Sequence, residues 1–147
     1  MQIGFIGLGH LGTPIAENLL HHHPGMLVYN RTASKAKPLE EKGARVCKTV
    51  KELASACDVV FTIVSNDAVV KEIAEGKDGI AINLKKDGIH VSMSTILPAT
   101  SEYLFQLHHQ HNNHYIACPV SGRPEAARDK KLNFIISGDN KIIQAVK

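Results

Sequence analysis

Apolar residues in this chain fall into short runs, separated by longer stretches with helical spacing. Ile3, Phe5 and Ile6 are strand formers, and Pro14-Ile15-Ala16-Glu17-Asn18-Leu19-Leu20 follows with the spacing of an amphipathic helix. Met26-Leu27-Val28-Tyr29 predicts a second strand, ending at Asn30-Arg31-Thr32. Residues 33–42 predict a polar-faced helix stopped by Gly43, with Pro38 weakening its middle. A short strand over 44–46 and a short helix over 50–56 come next. Residues 58–64 form a continuous apolar run, the mark of a strand buried on both faces of a parallel sheet. Asn66 or Asp67 is expected to cap a helix through Ala74. Ile89-His90-Val91-Ser92 predicts a strand, and Pro98 starts a helix to about His109. Residues 115–118 and 132–137 finish as strands, and residues 123–131 are the one stretch expected to be a flexible loop. Alternating β and α units of this size imply an α/β fold with a doubly wound, mostly parallel sheet, the Rossmann arrangement.

The 147 residues suit one domain with a real core, expected to be a dinucleotide-binding domain over 1–147. A formal charge of +3 fits an anionic small ligand. No Lys/Arg run is dense enough for nucleic acid, and no apolar run approaches a membrane span. Cys47, Cys57 and Cys118 are scattered, odd in number and lack C-x-x-C spacing, so they are expected to be free thiols of a reducing compartment. The first strand is expected almost at Met1, so no signal peptide is expected and the cytoplasm is the expected location.

The chemistry is concentrated at Gly7-Leu8-Gly9-His10-Leu11-Gly12, where the first strand turns into the first helix. In that context Gly7 makes the tight turn and Gly9 lets backbone approach a pyrophosphate, while Gly12 lets helix pack on strand. The phosphates would then meet free N–H groups and the positive dipole end of the helix. Cofactor choice is written after the second strand. A site specific for NAD places an acid there to bind ribose hydroxyls, and that acid repels a 2′-phosphate. Here the tip is Asn30-Arg31-Thr32, with Lys35 one turn later and no acid among them. NADP is therefore expected over NAD, with Asn30 expected to bond the ribose, Arg31 offering a planar fork, and Thr32 and Lys35 a hydroxyl and a charge.

Four segments together resemble the β-hydroxyacid dehydrogenase family, the relatives of 6-phosphogluconate and 3-hydroxyisobutyrate dehydrogenases. They are Gly4-Phe5-Ile6-Gly7-Leu8-Gly9-x-Leu11-Gly12, Asn30-Arg31-Thr32, Val91-Ser92-Met93-Ser94-Thr95-Ile96-Leu97-Pro98 and Cys118-Pro119-Val120-Ser121-Gly122. The third is similar to the family's D-x-S-T-x-x-P, with Val/Ser where Asp is usual, and the fourth to A-P-V-S-G-G. The resemblance implies that Ser94, Ser121 and Gly122 hold a substrate carboxylate. It further implies that Thr95 touches the nicotinamide side and that Val64, Ser65 and Val69 line the cofactor cleft. Ser94 and Thr95 are alternatively suited to cap the helix that starts at Pro98.

Two departures stand out. The family's second glycine is replaced by Arg123, followed by Pro124, which stiffens the backbone and puts a guanidinium beside the substrate entrance. The family's acid/base lysine in G-x-x-x-K-x-x-x-N has no counterpart, because Lys141 and Lys147 lack the flanking glycine and asparagine. The catalytic lysine is thus expected beyond Lys147, in a helical domain that also makes the homodimer or tetramer. The chain alone is expected to be inactive. The resemblance implies hydride transfer between NADP(H) and a small 3-hydroxy acid or its semialdehyde or keto form. An imine- or glyoxylate-type reductase and a silent NADP-binding module are the alternatives. His108, His109 and His111 are expected at a solvated helix end, and no metal is expected without carboxylate or thiol partners at ligand spacing. Phe134, Ile136, Ile142, Ile143 and Val146 are expected to leave an apolar face, the last three on one side of a terminal helix, and weak self-association is expected through that end.

Overall fold

A computed structural model of the chain describes residues 1–121, 124–130 and 133–146, including all side chains except those of Ser121 and Asn133. Six parallel strands form the main sheet: β1 (Ile3–Ile6), β2 (Leu27–Tyr29), β3 (Arg45–Val46), β4 (Val59–Thr62), β5 (Ile89–Ser92) and β6 (His114–Ala117). Their spatial order is β3-β2-β1-β4-β5-β6. The chain starts in the middle, winds outward to β3, then returns to the other side of β1. The reversal opens a crevice between the carboxyl ends of β1 and β4, where sheets of this kind bind ligands.

Burial on both faces explains why β1 is apolar throughout and why β2 and β4 are nearly so. Phe5, Val28, Val91 and Ile116 pack against α1 (Gly12–His22), α2 (Lys37–Glu41) and a C-terminal helix, whereas Ile6, Leu27 and Val60 meet α3 (Val50–Ala56) and α5 (Ile80–Asn83) on the opposite face. α4 (Asp67–Ala74) and α6 (Pro98–Gln110) close a third cluster around Val70, Leu104 and Tyr115. Thr49 accepts from the Glu52 amide at 3.0 Å and Asn66 from the Val69 amide at 3.0 Å, so α3 and α4 have side-chain N-caps.

Several expectations change. The helix over 33–42 divides into a 3-10 turn at Ala33–Ala36 and α2, because Pro38 fits only the first turn of a helix. The flexible loop at 123–131 instead contains helix α7 (Pro124–Arg128). The final strand over 132–137 does not join the parallel sheet. β7 (Val120–Ser121) pairs antiparallel with β8 (Asn133–Phe134), and Ser137 bridges antiparallel to Ala117 at the sheet edge. The last helix, α8 (Asn140–Val146), docks Ile142, Ile143 and Val146 against the cluster containing Ile3 and Phe5. That apolar side is partly buried, so Ile143→Lys is expected to lower the melting temperature as well as to weaken self-association through this end. A scanning melt and light scattering check both halves of that statement. No helix among the described residues is long and apolar enough to cross a membrane.

Candidate functional site

The glycine turn is built by close approach. Gly7 has φ +103°, a region that favours glycine, and a Cβ there would lie 2.0 Å from the Ile63 carbonyl oxygen. A Cβ on Gly12 would lie 1.9 Å from the Gly7 carbonyl oxygen, so α1 can start this close to β1 only without a side chain. Gly9 differs: a Cβ there would meet nothing within 4 Å. Its missing side chain leaves open space above exposed backbone at the head of α1, a cradle suited to a pyrophosphate.

Asn30 braces this turn. Its Oδ1 accepts from the Leu8 amide at 2.8 Å, and its Nδ2 donates to the Thr32 carbonyl at 3.0 Å. The Gly7 amide donates to the Tyr29 carbonyl at 3.1 Å, so the end of β2 and the glycine turn are tied at two points. The carboxamide is held between two backbone partners, a bracket that sequence reasoning did not foresee.

Two grooves flank the turn. One, of about 150 Å³, is lined by Gly7, Asn30, Arg31, Val64, Val69 and Glu72, among others. The other, of about 290 Å³, is lined by Leu8, Gly9, His10, Glu17, Lys35 and Arg128, among others. The expected cofactor residues Gly7, Leu8, Gly9, His10, Asn30, Arg31, Lys35, Val64 and Val69 are thus gathered on the two sides of one turn. Leu11 and Gly12 begin α1, and the Thr32 carbonyl accepts from the Lys35 amide at 3.1 Å. Ser65 is exposed beyond β4 and lines neither groove. Arg128 was missed, because it lies in the stretch expected to be a loop. The helix-starting Pro124 followed by Ala126 and Ala127 was the signal that could have found it.

Beyond β5, Ser94 is buried and its Oγ accepts from the Val64 amide at 2.9 Å, while the Met93 amide donates to the Thr62 carbonyl at 2.7 Å. Ser94 therefore clamps the loops after β4 and β5 together, and it does not cap α6. Leu97 is the N-cap of α6. Asp67 Oδ2, from α4, accepts from the Leu97 amide at 3.0 Å and from Thr100 Oγ1 at 2.6 Å. The Thr100 hydroxyl, then the Leu97 amide, hold the Asp67 carboxyl below the usual carboxylate range. Thr95 is exposed, and with Ser94 it lines a largely apolar cavity of about 410 Å³ that includes Phe105, Tyr115 and Ile135. Ser121 lies in β7, whereas Gly122 and Arg123 are outside the described residues.

His108 is a correction, for it is fully buried and forms no part of a solvated helix end. Asn113 Nδ2 donates to the Ala81 carbonyl at 2.8 Å and faces that of Leu84 at 3.3 Å, so its Oδ1 must be the acceptor for His108 Nδ1. His108 Nε2 then accepts from His90 Nδ1 at 3.0 Å, and His90 Nε2 accepts from Thr62 Oγ1 at 2.8 Å. Both imidazoles are neutral under this assignment. Burial pushes the His108 pKa down to about 4 and that of His90 well below its ordinary value. Among the described residues no cluster of three or more His, Cys, Asp or Glu is arranged for a metal ion. The three cysteines are buried and unpaired, and burial raises the thiol of Cys57 to about 12.

The family profile of the NAD binding domain of 6-phosphogluconate dehydrogenase matches residues 2–147. The chain belongs to this family. It is 40% identical over its full length to an uncharacterized oxidoreductase, YfjR, of Bacillus subtilis (strain 168), covering 51% of that protein. It is 34% identical over 97% of its length to a probable 3-hydroxyisobutyrate dehydrogenase-like 2, mitochondrial, of Arabidopsis thaliana, covering 48% of it. The solved structure of Psf3 in complex with NADP+ and 2-OPP superposes with a TM-score of 0.93 at 34% identity. That match covers 98% of this chain and 51% of that one. The chain thus spans about half the length of the relatives it matches. It is a NAD(P)-binding domain of the kind found in 3-hydroxyisobutyrate dehydrogenase-like oxidoreductases.

Proposed function

We propose that this domain binds NADP in preference to NAD. In the full protein, it would serve hydride transfer between the nicotinamide and a small 3-hydroxy acid or its oxidised form. The observation that carries the cofactor choice is the end of β2. Asn30 is occupied as a bracket, no carboxylate stands among residues 30–35, and Arg31 and Lys35 are exposed on opposite sides of the glycine turn. Glu72 lines the same groove as Arg31 but comes from α4, outside the end of β2. The nicotinamide supplies the hydride chemistry when bound.

The chain's own residues hold and orient. The backbone at Gly9 and the head of α1 take the pyrophosphate, and Gly7 and Gly12 fix that backbone by their close approaches. Val64 and Val69 form an apolar wall for the base, and Ser94 fixes the loop that presents Thr95 to the nicotinamide end. Ser94 keeps a hydroxyl hydrogen to donate, since it accepts from the Val64 amide. Ser121, Gly122 and Arg123 are proposed to complete the carboxylate site. Lys141 lines neither groove nor the cavity beside Ser94, so the acid/base lysine is proposed to come from chain beyond Lys147, and the domain alone to be inactive. The helical domain carrying that lysine is also proposed to make the oligomer. Three buried free thiols favour a reducing compartment, and the cytoplasm is proposed.

Calorimetric titration with both nucleotides tests the cofactor choice. NADP should bind the more tightly, and Arg31→Asp should weaken NADP by roughly 1–3 kcal/mol, the scale of a charge-assisted hydrogen bond, with a much smaller effect on NAD. Equal affinities in the parent would remove the phosphate role from Arg31.

A further inference from the structure

The groove on the α1 side of the glycine turn has a cationic wall contributed by an element outside the usual strand-end positions. Asn18 Nδ2, on α1, donates to the Ala127 carbonyl at 2.6 Å, and the Ala127 side chain is buried in the core beneath α7. The next residue, Arg128, is exposed and lines the groove together with Leu8, Gly9, His10 and Lys35. Glu17, the one acid on this lining, is bound to Lys42 at 3.1 Å, so its charge is offset from outside. No ion pair involves Arg128 among the described residues.

We propose that Arg128 is a specificity-determining residue that holds the adenosine 2′-phosphate of NADP from the side opposite Arg31, with Lys35. This rests on the NADP reading above and adds a residue to it. A phosphate monoester carries about −1.5 to −2 charges and three acceptor oxygens, more than one guanidinium can satisfy. The bridging pyrophosphate, with one charge on each phosphorus, is served by backbone N–H groups at the head of α1. Lys35 reaches this groove from the segment that follows Arg31 and Thr32, so Arg128 shares its lining with a cation of the strand-end segment. Arg128 extends that set from α7, and the Asn18–Ala127 bond fixes where α7 stands.

The experiment is calorimetry of the parent chain, Arg128→Ala and Arg128→Lys with NADP, NAD and adenosine 2′,5′-bisphosphate, beside a melting curve for each. Arg128→Ala should weaken NADP and the bisphosphate about tenfold or more and change NAD less than about twofold, with the melting temperature kept. Arg128→Lys should recover part of the loss, since charge returns without the planar fork. Parallel losses for NADP and NAD would place Arg128 on the pyrophosphate and overturn the assignment, and unchanged affinities would make it a solvated side chain. A parent that binds none of the three probes would instead bring down the NADP reading beneath it.

Discussion

Gly7→Ala and Gly9→Ala should behave as opposites, although both add one methyl group to the same turn. At Gly7 the new Cβ would sit 2.0 Å from the Ile63 carbonyl oxygen, on a backbone whose φ of +103° already disfavours a side chain. Neither the carbonyl nor the turn can give way cheaply, because β1 and β4 are locked in register at Ile6 and Thr62. Strain and overpacking together should cost roughly 2–6 kcal/mol, enough to unfold much of a marginally stable domain. At Gly9 the Cβ would meet nothing within 4 Å, so stability should change by less than about 0.5 kcal/mol. Nucleotide affinity should nevertheless fall about tenfold or more, since that methyl occupies the space a pyrophosphate needs. Urea denaturation and nucleotide titration of both variants separate the two roles. Full affinity in Gly9→Ala would mean the open face of the turn is not where phosphate lies.

What was legible in the sequence follows the same division between local and distant causes. The glycine turn, β1 and β4 were legible because their residues are dictated locally, by backbone geometry at Gly7 and by burial on both sheet faces. The helix over 50–56 was legible because Thr49 and Glu52 satisfy its first amides within one turn. α5 was missed, since a helix over Ile80–Asn83 is too short to show a period. α7 was missed for a related reason, and Arg128 with it, because one turn after Gly-Arg-Pro has loop composition. Asn30 was expected at the tip of β2, and it stands directly after Tyr29. Its bond to the Leu8 amide, 22 positions away, could not be read from spacing. Ser94 was expected to hold a substrate carboxylate, with capping of the nearest helix as the alternative, and its bond to the Val64 amide in the loop after β4, 30 positions away, was equally invisible in spacing. His108 was misplaced because its partner His90 is on another element, and only the folded sheet brings the two rings together.

That histidine pair should make the domain sensitive to mild acid. The His108 pKa is about 4 in the folded chain, against an ordinary value of 6.5, because burial disfavours the charged form more than Asn113 supports it. His90 shifts in the same direction, from burial first and the neighbouring His108 second. With folded values depressed, the unfolded chain binds more protons as pH drops below about 6.5. The contribution of His108 is therefore fully present above pH 6.5 and is lost as pH falls toward about 4. Its size is about 3 kcal/mol at most, by linkage. Asp58 and Asp67, whose carboxyls are held low by Lys85 and by Thr100 respectively, lose their contributions only below their ordinary 3.8. The window between pH 6.5 and about 4.5 thus belongs to the imidazoles. Urea midpoints measured across it should fall steadily with pH. His108→Leu should be destabilised at neutral pH, because Asn113 Oδ1 and His90 Nδ1 both lose a partner, yet it should show a flatter slope through the same window. A parent chain equally stable at neutral pH and at about pH 4.5 would show that the buried chain from Thr62 to Asn113 accommodates a proton without cost.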